Sequence, residues 1–309
     1  MTGAAGAQTP APGPMPADPV ETIDLWPAGA PGAPPTLPVE TVVERSTDPA
    51  LPDRAVHGIA RPRLIIFRPA RPNGTAVLIA PGGGYVRVVV DKEGYETARW
   101  LTAHGFTAFV LFYRLPEEGW AARANVALAD AQRAMRLIRA RATDFGIKSD
   151  RVMALGFSAG GHVCGDLATR FAAPVYAPRD AADRLNARPD LAALLYPVQS
   201  MHLPVAHPGS REALLGARPS PALERAHSTA ANVSPGTPPC FLVHAEDDAS
   251  VPVDNTLELR AALRAAGVAV ETHLFAEGGH GFGIRRALGK PAAVWPELLM
   301  AWARTHGLG

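Results

Sequence analysis

The sequence predicts an α/β fold: a mostly parallel, doubly wound sheet with helices on both faces and a small lid insertion. Short, fully apolar runs alternate with segments in which apolar residues recur at helical spacing. This alternation is typical of parallel strands joined by right-handed crossover helices. The chain has 309 residues, of which 47% are hydrophobic and 19% charged, so it can bury one large core.

The order of the elements follows from these patterns. Apolar runs bounded by glycine, proline and polar residues predict strands at residues 64–67, 76–80, 107–112, 152–155, 191–196, 240–244 and 268–275. The segments between and after them predict helices at residues 92–103, 126–141, 253–266 and 292–305, with a further helix after Ser158. We expect the last helix to pack on the sheet; self-association through its apolar face is the alternative.

Composition divides the chain into an arm and one domain. Residues 1–37 are rich in Ala, Gly and Pro, which predicts an extended or flexible arm, and residues 38–309 form the predicted domain. Within the arm, residues 5–8 resemble the end of a cleaved export signal, but no basic start or apolar stretch precedes them. Export and a cytoplasmic location both stay open. The long, proline-rich connection at residues 200–239 predicts the lid.

Charge and cysteine content narrow the classes of function. The formal net charge of +1, with acids and bases scattered, favours a small neutral substrate over nucleic acid or an anionic membrane. No apolar run approaches the length of a membrane span, so we expect a soluble protein, of undetermined oligomeric state. Cys164 and Cys240 predict buried thiols rather than a disulfide framework.

The most informative motif is a serine flanked by small residues. Gly156-Phe157-Ser158-Ala159-Gly160 follows an apolar run and precedes a helical segment. Small residues two positions before and after the serine suit a sharp strand-to-helix turn, which holds the hydroxyl out at the top of a sheet. Because a serine hydroxyl is a poor nucleophile on its own, this hypothesis requires a histidine base and a group that orients it.

Three other loops follow predicted strands and supply the remaining parts. Ligands of an open parallel sheet lie beyond the carboxyl ends of its strands, where such loops meet. Residues 82–84 are three glycines whose N–H groups suit an oxyanion hole; a simple turn is the alternative, since no phosphate-binding pattern accompanies them. Residues 246–248 are three acids, and His280 stands between glycines. The order Ser, Asp, His is that of α/β-hydrolases.

From about residue 38 to the C-terminus the chain resembles α/β-hydrolases, and among them the bacterial carbohydrate acetyl esterases found beside xylan- and pectin-degrading enzymes. The motifs that carry this resemblance are Asp24-Leu25-Trp26-Pro27 with Gly29-Ala30-Pro31-Gly32, Pro81-Gly82-Gly83-Gly84-Tyr85, Lys92-Glu93-Gly94, Tyr113-Arg114-Leu115-Pro116, Gly156-Phe157-Ser158-Ala159-Gly160-Gly161-His162, Asp248-Ala249-Ser250-Val251-Pro252 and Gly279-His280-Gly281. It implies a serine esterase that releases acetyl from a small-molecule or oligosaccharide ester through an acyl-enzyme, without a cofactor.

The resemblance also implies residue roles. Ser158 would be the nucleophile, His280 the general base and then acid, and Asp248 the group that orients His280. Asp248 is favoured over its acidic neighbours because the family's acid stands three residues before a Val-Pro pair. The oxyanion donors would be the N–H groups of Ala159 and of the loop around Gly83 and Gly84. Related lipases have histidine where Pro81 stands here, which leaves the donor pair open.

Other polar and aromatic residues have simpler expected roles. We expect His162 to pack beneath the serine turn, and Glu93 and Arg114 to form a structural ion pair near the site, with substrate contact as the alternative for these two charges. Tyr85 and Trp120 are candidates for a sugar-binding surface, with packing as the alternative; Tyr85 is the predicted substrate contact. The remaining histidines lack metal-ligand spacing, so no metal is expected.

Two alternatives to a sugar acetyl esterase stay open at this point. One is a general carboxylesterase or serine peptidase on the same scaffold, because the fold and the triad do not fix the leaving group. The other is a binding protein that kept the fold without the activity.

Overall fold

The computed structural model describes residues 17–309, and the export-signal pattern at residues 5–8 lies outside them. The strands of this part of the chain are β1 (Thr22–Asp24), β2 (Thr41–Glu44), β3 (Arg54–His57), β4 (Arg63–Phe67), β5 (Ala76–Ala80), β6 (Val88–Val89), β7 (Thr107–Phe112), β8 (Val152–Phe157), β9 (Leu191–Leu195), β10 (Cys240–Ala245) and β11 (Val270–Phe275). Its α-helices are α1 (Glu96–Ala103), α2 (Val126–Ala140), α3 (Ser158–Arg170), α4 (Pro208–Leu215), α5 (Pro221–Ala226), α6 (Asp254–Ala265) and α7 (Trp295–Thr305).

Eight of these strands form the central sheet, in the order β1-β4-β7-β5-β8-β9-β10-β11. All neighbours from β7 to β11 pair in parallel, whereas β4 pairs with both β1 and β7 in antiparallel. Strands β5, β7, β8, β9 and β10 are buried at every residue. Because successive side chains point to opposite faces, both faces of the sheet are covered. The predicted α/β fold is confirmed.

The strands predicted at residues 64–67 and 76–80 follow one another in sequence but do not pair. Strand β7 lies between β4 and β5 in the sheet. The chain therefore leaves β4, skips one position and returns by way of α1. The predicted helix at residues 92–103 begins with a π-helical turn, Asp91–Tyr95, which runs directly into α1.

A second, three-stranded antiparallel sheet has the order β2-β3-β6 and was not predicted. Strand β2 has four residues, all of them exposed, and only two of them are apolar. It therefore lacks the continuous apolar run by which the strands of the central sheet were predicted. Strand β6 has two residues and follows the glycine-rich loop after β5. One strand of the small sheet, β6, therefore lies directly after the glycine-rich loop.

The arm predicted over residues 1–37 is wrong for the described part of that segment. Strand β1 pairs with β4, and Leu25 and Trp26 are buried. The Trp26 Nε1–H donates to Asp130 Oδ1 at 2.7 Å, and Arg114 donates to the carbonyl oxygen of Pro31, also at 2.7 Å. Burial of these side chains and their hydrogen bonds order a segment that its Ala, Gly and Pro content predicts to be mobile. Residues 22–31 therefore pack against the domain instead of extending from it as an arm.

Three further expectations concern single elements. Cys164 and Cys240 are buried free thiols, as predicted. Helix α7 packs on the sheet through buried Trp295 and Trp302, the latter with its ring centroid 5.4 Å from that of Phe241. Residues 200–239 contain α4 and α5, and their role as a lid stays a prediction. Within residues 17–309, no helix combines the length and apolarity that crossing a membrane requires.

Candidate active site

The turn between β8 and α3 holds Ser158 in a strained backbone conformation. Its φ of 52° lies in the left-handed region, which residues other than glycine rarely adopt. A Cβ on Gly160 would lie 2.0 Å from the carbonyl oxygen of Ala80, and one on Gly156 would lie 2.3 Å from that of Gly160. Sterics therefore explain both glycines of the motif, because no larger residue fits on either side of this turn.

Three side chains from three loops form one hydrogen-bonded chain. Ser158 Oγ lies 2.9 Å from His280 Nε2, and His280 Nδ1 lies 2.7 Å from Asp248 Oδ2. Because an ionised carboxylate only accepts hydrogen bonds, Nδ1 carries the hydrogen and Nε2 directs its lone pair at the serine hydroxyl. In this tautomer His280 can take the proton of Ser158. The structure thus brings together the three residues that the sequence analysis selected.

Asp248 is enclosed by hydrogen-bond donors. Its Oδ1 accepts the N–H groups of Ser250 and Val251, both at 2.9 Å, and His244 Nε2 lies 3.3 Å from Oδ2. Burial alone raises the pKa of Asp248, but hydrogen bonds from His244 and His280 outweigh it and hold the pKa well below its usual value. Asp248 is therefore ionised at neutral pH. The sequence analysis missed His244, whose only signal was its place in the strand before the acids.

The acid next to Asp248 has a different role. Asp247 Oδ1 accepts the N–H groups of Gly278 at 2.9 Å and Gly279 at 2.7 Å, which ties the loop that carries His280 to the end of β10. Glu246 is exposed. Of the three adjacent acids, Asp248 is therefore the one that reaches His280, and Asp247 holds the histidine loop.

The glycine-rich loop after β5 packs against the serine turn. A Cβ on Gly82 would lie 2.8 Å from Ser158 Cβ, so the close approach requires glycine. Gly83 and Gly84 line the cavity beside Ser158, and their N–H groups have no acceptor among the described residues. Ala159 lies in the first turn of α3, where N–H groups have no intrahelical partner. These three amides are available to an oxygen of a ligand.

Glu93 and Tyr196 connect the glycine loop to the histidine loop. Glu93 accepts the Gly82 N–H at 2.8 Å and the Tyr196 hydroxyl at 3.1 Å, and the same hydroxyl accepts the Gly283 N–H at 3.1 Å. The Tyr196 ring meets His280 edge to face, with the centroids 5.1 Å apart. Burial, and then the Glu93 charge, raise the pKa of Tyr196 well above its usual value, so the hydroxyl stays protonated. The sequence analysis missed this role of Tyr196, which ends a predicted strand.

The predicted ion pair between Glu93 and Arg114 is wrong. Arg114 pairs instead with Asp130, through Nε at 3.0 Å and Nη2 at 2.8 Å, and both side chains are almost completely buried. Trp120 is buried with its ring 4.8 Å from the Arg114 guanidinium, so it packs there and forms no sugar-binding surface. Together with Trp26, this cluster anchors the N-terminal segment to α2.

Tyr85 does not contact the cavity, which corrects the prediction that it binds substrate. Its side chain is buried, and its hydroxyl lies 2.6 Å from His162 Nδ1. Burial lowers the pKa of His162, so its ring is neutral; Nε2–H donates to the His227 carbonyl oxygen at 2.7 Å and Nδ1 accepts from Tyr85. His162 therefore packs beneath the serine turn, as expected, and Tyr85 supports the glycine loop from below.

A cavity of about 290 Å³ contains Ser158 and His280. This volume is at the small end of the range for small-molecule sites. Its other lining residues are Arg45, Gly83, Gly84, Val86, Arg87, Val89, Lys92, Glu93, His207, Gly209, Ser250 and Gly281. His207 and Gly209 belong to the segment at residues 200–239, which therefore forms one wall. In the described part of the chain, no cluster of three or more His, Cys, Asp or Glu side chains is arranged to hold a metal ion.

Two curated relatives share the sequence of this region. The chain is 33% identical over 225 residues to an acetylxylan esterase of Xylanibacter ruminicola, which covers 72% of this chain and 44% of that protein. It is 35% identical over 205 residues to an endo-1,4-beta-xylanase B of Butyrivibrio fibrisolvens, which covers 66% of this chain and 32% of that protein. The chain thus spans less than half the length of these curated relatives.

Solved structures and a family profile agree with these relatives. An acetyl ester-xyloside bifunctional hydrolase from Caldicellulosiruptor lactoaceticus is 34% identical with a TM-score of 0.71, over 89% of this chain and 100% of that one. A carboxylesterase from Lactobacillus plantarum, 22% identical with a TM-score of 0.66 over 88% and 98% of the two chains, shares the fold. The profile of the α/β-hydrolase fold matches residues 77–284. The resemblance indicated by the motifs is confirmed, and the chain belongs to the α/β-hydrolase family.

Proposed function

We propose that this protein is a serine esterase that removes short acyl groups, chiefly acetyl, from a sugar or polysaccharide. The observation that carries the proposal is the chain of hydrogen bonds from Asp248 through His280 to Ser158, which ends in a small cavity. Relatives named for acetylxylan and for an acetyl ester-xyloside support a sugar ester as the substrate. The cavity volume and the apolar wall formed by Val86 and Val89 favour a short acyl group.

In the first half of the proposed reaction, Ser158 Oγ attacks the ester carbonyl carbon while His280 Nε2 takes the serine proton. The carbonyl oxygen becomes an oxyanion, which accepts hydrogen bonds from the N–H groups of Ala159 and of Gly83 or Gly84. The carbon–oxygen bond to the sugar then breaks, and His280 gives its proton to the departing alkoxide. The products are the sugar hydroxyl and an acyl group on Ser158.

In the second half, water attacks the acyl-enzyme and His280 takes one of its protons. The bond between the acyl carbon and Ser158 Oγ then breaks, and the proton returns to the serine as the carboxylic acid leaves. Throughout, Asp248 stabilises the positive charge that His280 carries after each proton transfer. Every proton and electron pair is handled by these side chains, water and the ester, so the proposed reaction requires no cofactor.

The test is acetate release from acetylated xylo-oligosaccharides by the wild type and by Ser158→Ala. We expect the substitution to lower kcat roughly 10⁴- to 10⁶-fold, as for other nucleophiles of this kind. Ser149→Ala is a matched control, because Ser149 is exposed and does not line the cavity. A Ser158→Ala variant that kept most of the wild-type activity would disprove the proposed mechanism.

Two other outcomes would select the alternatives. Turnover of 4-nitrophenyl acetate without acetate release from the oligosaccharides would favour a general carboxylesterase. No turnover of any ester, together with no labelling of Ser158 by a fluorophosphonate probe, would favour a binding protein that kept the fold.

A further inference from the structure

The cavity around Ser158 carries more positive charge than a neutral ester requires. Three cations line it, Arg45, Arg87 and Lys92, whereas Glu93 is the one acid among the lining residues found in the described part of the chain. The whole chain has a formal net charge of only +1, so this excess is local. A cleft lined by one sign of charge attracts ligands of the opposite sign.

Two of these three cations form no ion pair at contact distance with any described residue. Arg45 forms an ion pair with Asp53 at 2.7 Å. By contrast, no ion pair or hydrogen bond joins the Arg87 guanidinium or the Lys92 ammonium to another residue within 17–309, and Arg87 Nε is buried without an acceptor. A buried donor without an acceptor is costly, because it has lost its hydrogen bonds to water.

Lys92 is the more deeply buried of the two, with 8% of its surface exposed. Burial lowers its pKa, although the nearby charges of Glu93 and Asp53 act in the opposite direction. Glu93 is the nearest lining acid in sequence, but its two oxygens already accept hydrogen bonds from the Gly82 N–H and the Tyr196 hydroxyl. The Lys92 ammonium itself donates no hydrogen bond within residues 17–309, and it lines the cavity that an anion would enter.

Arg87 and Lys92 lie beside two different loops of the site. Arg87 Cγ lies 3.0 Å from the position of a Cβ on Gly83, on the glycine loop. Lys92 Nζ lies 3.3 Å from the position of a Cβ on Gly281, next to His280. The Arg87 side chain therefore begins beside the glycine loop and the Lys92 ammonium lies beside the histidine loop, and both residues line the cavity that contains Ser158.

We infer that the substrate carries a carboxylate in addition to the ester, and that Arg87 and Lys92 bind it. This inference rests on the proposed esterase function and differs from the neutral substrate that the overall charge favoured. The carboxylate can belong to the sugar, as in an acetylated uronate, or to the acyl group, as in a dicarboxylic half-ester. Both present the same chemistry to the two cations.

Matched pairs of esters test the inference. On the sugar side, acetylated methyl glucuronoside is compared with acetylated methyl glucoside, which lacks only the carboxylate. On the acyl side, the mono-4-nitrophenyl ester of succinic acid is compared with 4-nitrophenyl acetate. We expect one acidic ester to have the higher kcat/KM of its pair. Arg87→Gln and Lys92→Gln should each lower that preference roughly tenfold to hundredfold, the loss of one charge-assisted hydrogen bond.

The controls separate recognition from folding and from catalysis. Arg87→Lys keeps the positive charge and should retain most of the preference. Arg61→Gln removes an exposed arginine that does not line the cavity, and should leave the preference unchanged. Added salt should lower kcat/KM for the acidic ester more than for its neutral partner.

Three outcomes decide the inference. A preference for the acidic sugar or for the acidic acyl group that depends on Arg87 and Lys92 supports it and locates the carboxylate. Equal kcat/KM for both members of each pair would overturn it while leaving the esterase proposal intact. Equal losses of kcat/KM on both members in the glutamine variants would do the same. If no ester is turned over, the affinity of Ser158→Ala for the acetylated glucuronoside is measured instead. An affinity that does not fall when Lys92→Gln is added to this variant would also overturn the inference.

Discussion

Replacing Asp248 by asparagine should abolish most of the activity without changing the shape of the site. The asparagine carbonyl is expected to face the N–H groups of Ser250 and Val251, because they donate to Oδ1 at 2.9 Å. The amide –NH2 group would then stand 2.7 Å from His280 Nδ1, where the carboxylate oxygen is now. Since two donors cannot share that contact, His280 would adopt the tautomer with its hydrogen on Nε2, and Nε2 could no longer accept the proton of Ser158.

The size of the effect follows from the loss of this tautomer. In serine hydrolases with the same arrangement, the asparagine variant loses roughly 10⁴-fold in kcat. At about 1.4 kcal/mol for each factor of ten, this is about 5.5 kcal/mol of transition-state stabilisation. We therefore expect kcat of Asp248→Asn on 4-nitrophenyl acetate to fall at least a thousandfold, with a circular dichroism spectrum like that of the wild type.

Asp247→Asn is the matched control for this experiment. An asparagine at this position keeps a carbonyl oxygen for the N–H groups of Gly278 and Gly279, so the histidine loop should hold its position. We expect less than a tenfold loss of kcat. Equal losses in the two variants would refute the assignment of Asp248 as the residue that orients His280.

Three further predictions concern stability, measured by urea denaturation. Burial lowers the pKa of His227 to about 4, so between pH 6.5 and 4 the unfolded chain binds more protons than the folded chain. The free energy of unfolding should therefore fall by about 3 kcal/mol as the pH drops through this window. The fall should be smaller in His227→Gln. Gly160→Ala should cost more than about 3 kcal/mol, because its Cβ would lie 2.0 Å from the Ala80 oxygen. Asp130→Asn should cost about 3–5 kcal/mol, because the Arg114 charge would be buried without its partner.

Each of these predictions has a control of the same chemistry. His104→Gln replaces an exposed histidine, Gly236→Ala places a Cβ no closer than 3.6 Å to its neighbours, and Asp144→Asn breaks an exposed ion pair. If a control matched its test variant, the argument from burial or from close approach would be wrong for that site.

The sequence predicted that the three side chains of the candidate site would meet, although they are far apart along the chain. Ser158 and His280 are separated by 122 positions, and His280 and Asp248 by 32. Predicting that they meet required only the loops that follow parallel strands, because these loops lie at one edge of the sheet whatever the chain does between them. The strands themselves were visible because burial on both faces makes them continuously apolar.

The supporting contacts could not be predicted, since no topological rule names their partners. Trp26 and Asp130 are 104 positions apart, and Glu93 and Tyr196 are 103 apart. Sequence patterns marked some of these residues as polar groups near strand ends but did not show which pairs would form. This is why the sequence pointed to the wrong partner for Arg114. The contacts of the N-terminal segment were missed for the same reason, and its strand has only three residues and no apolar run.

The charges around Ser158 also predict how a carboxylate on the substrate would affect the kinetics. The acids near the site are engaged: Asp248 by His280, Glu93 by backbone and hydroxyl donors, and Asp53 by Arg45. In the proposed complex, Arg87 and Lys92 would bind a carboxylate that does not change during ester cleavage, so their contacts would be equally strong in the ground state and the transition state. Such uniform binding lowers KM and leaves kcat nearly constant. Removal of a cation that instead stabilised the oxyanion would lower kcat on neutral esters as well. Whether the substitution changes KM or kcat therefore distinguishes recognition of a carboxylate from a role in the chemical step.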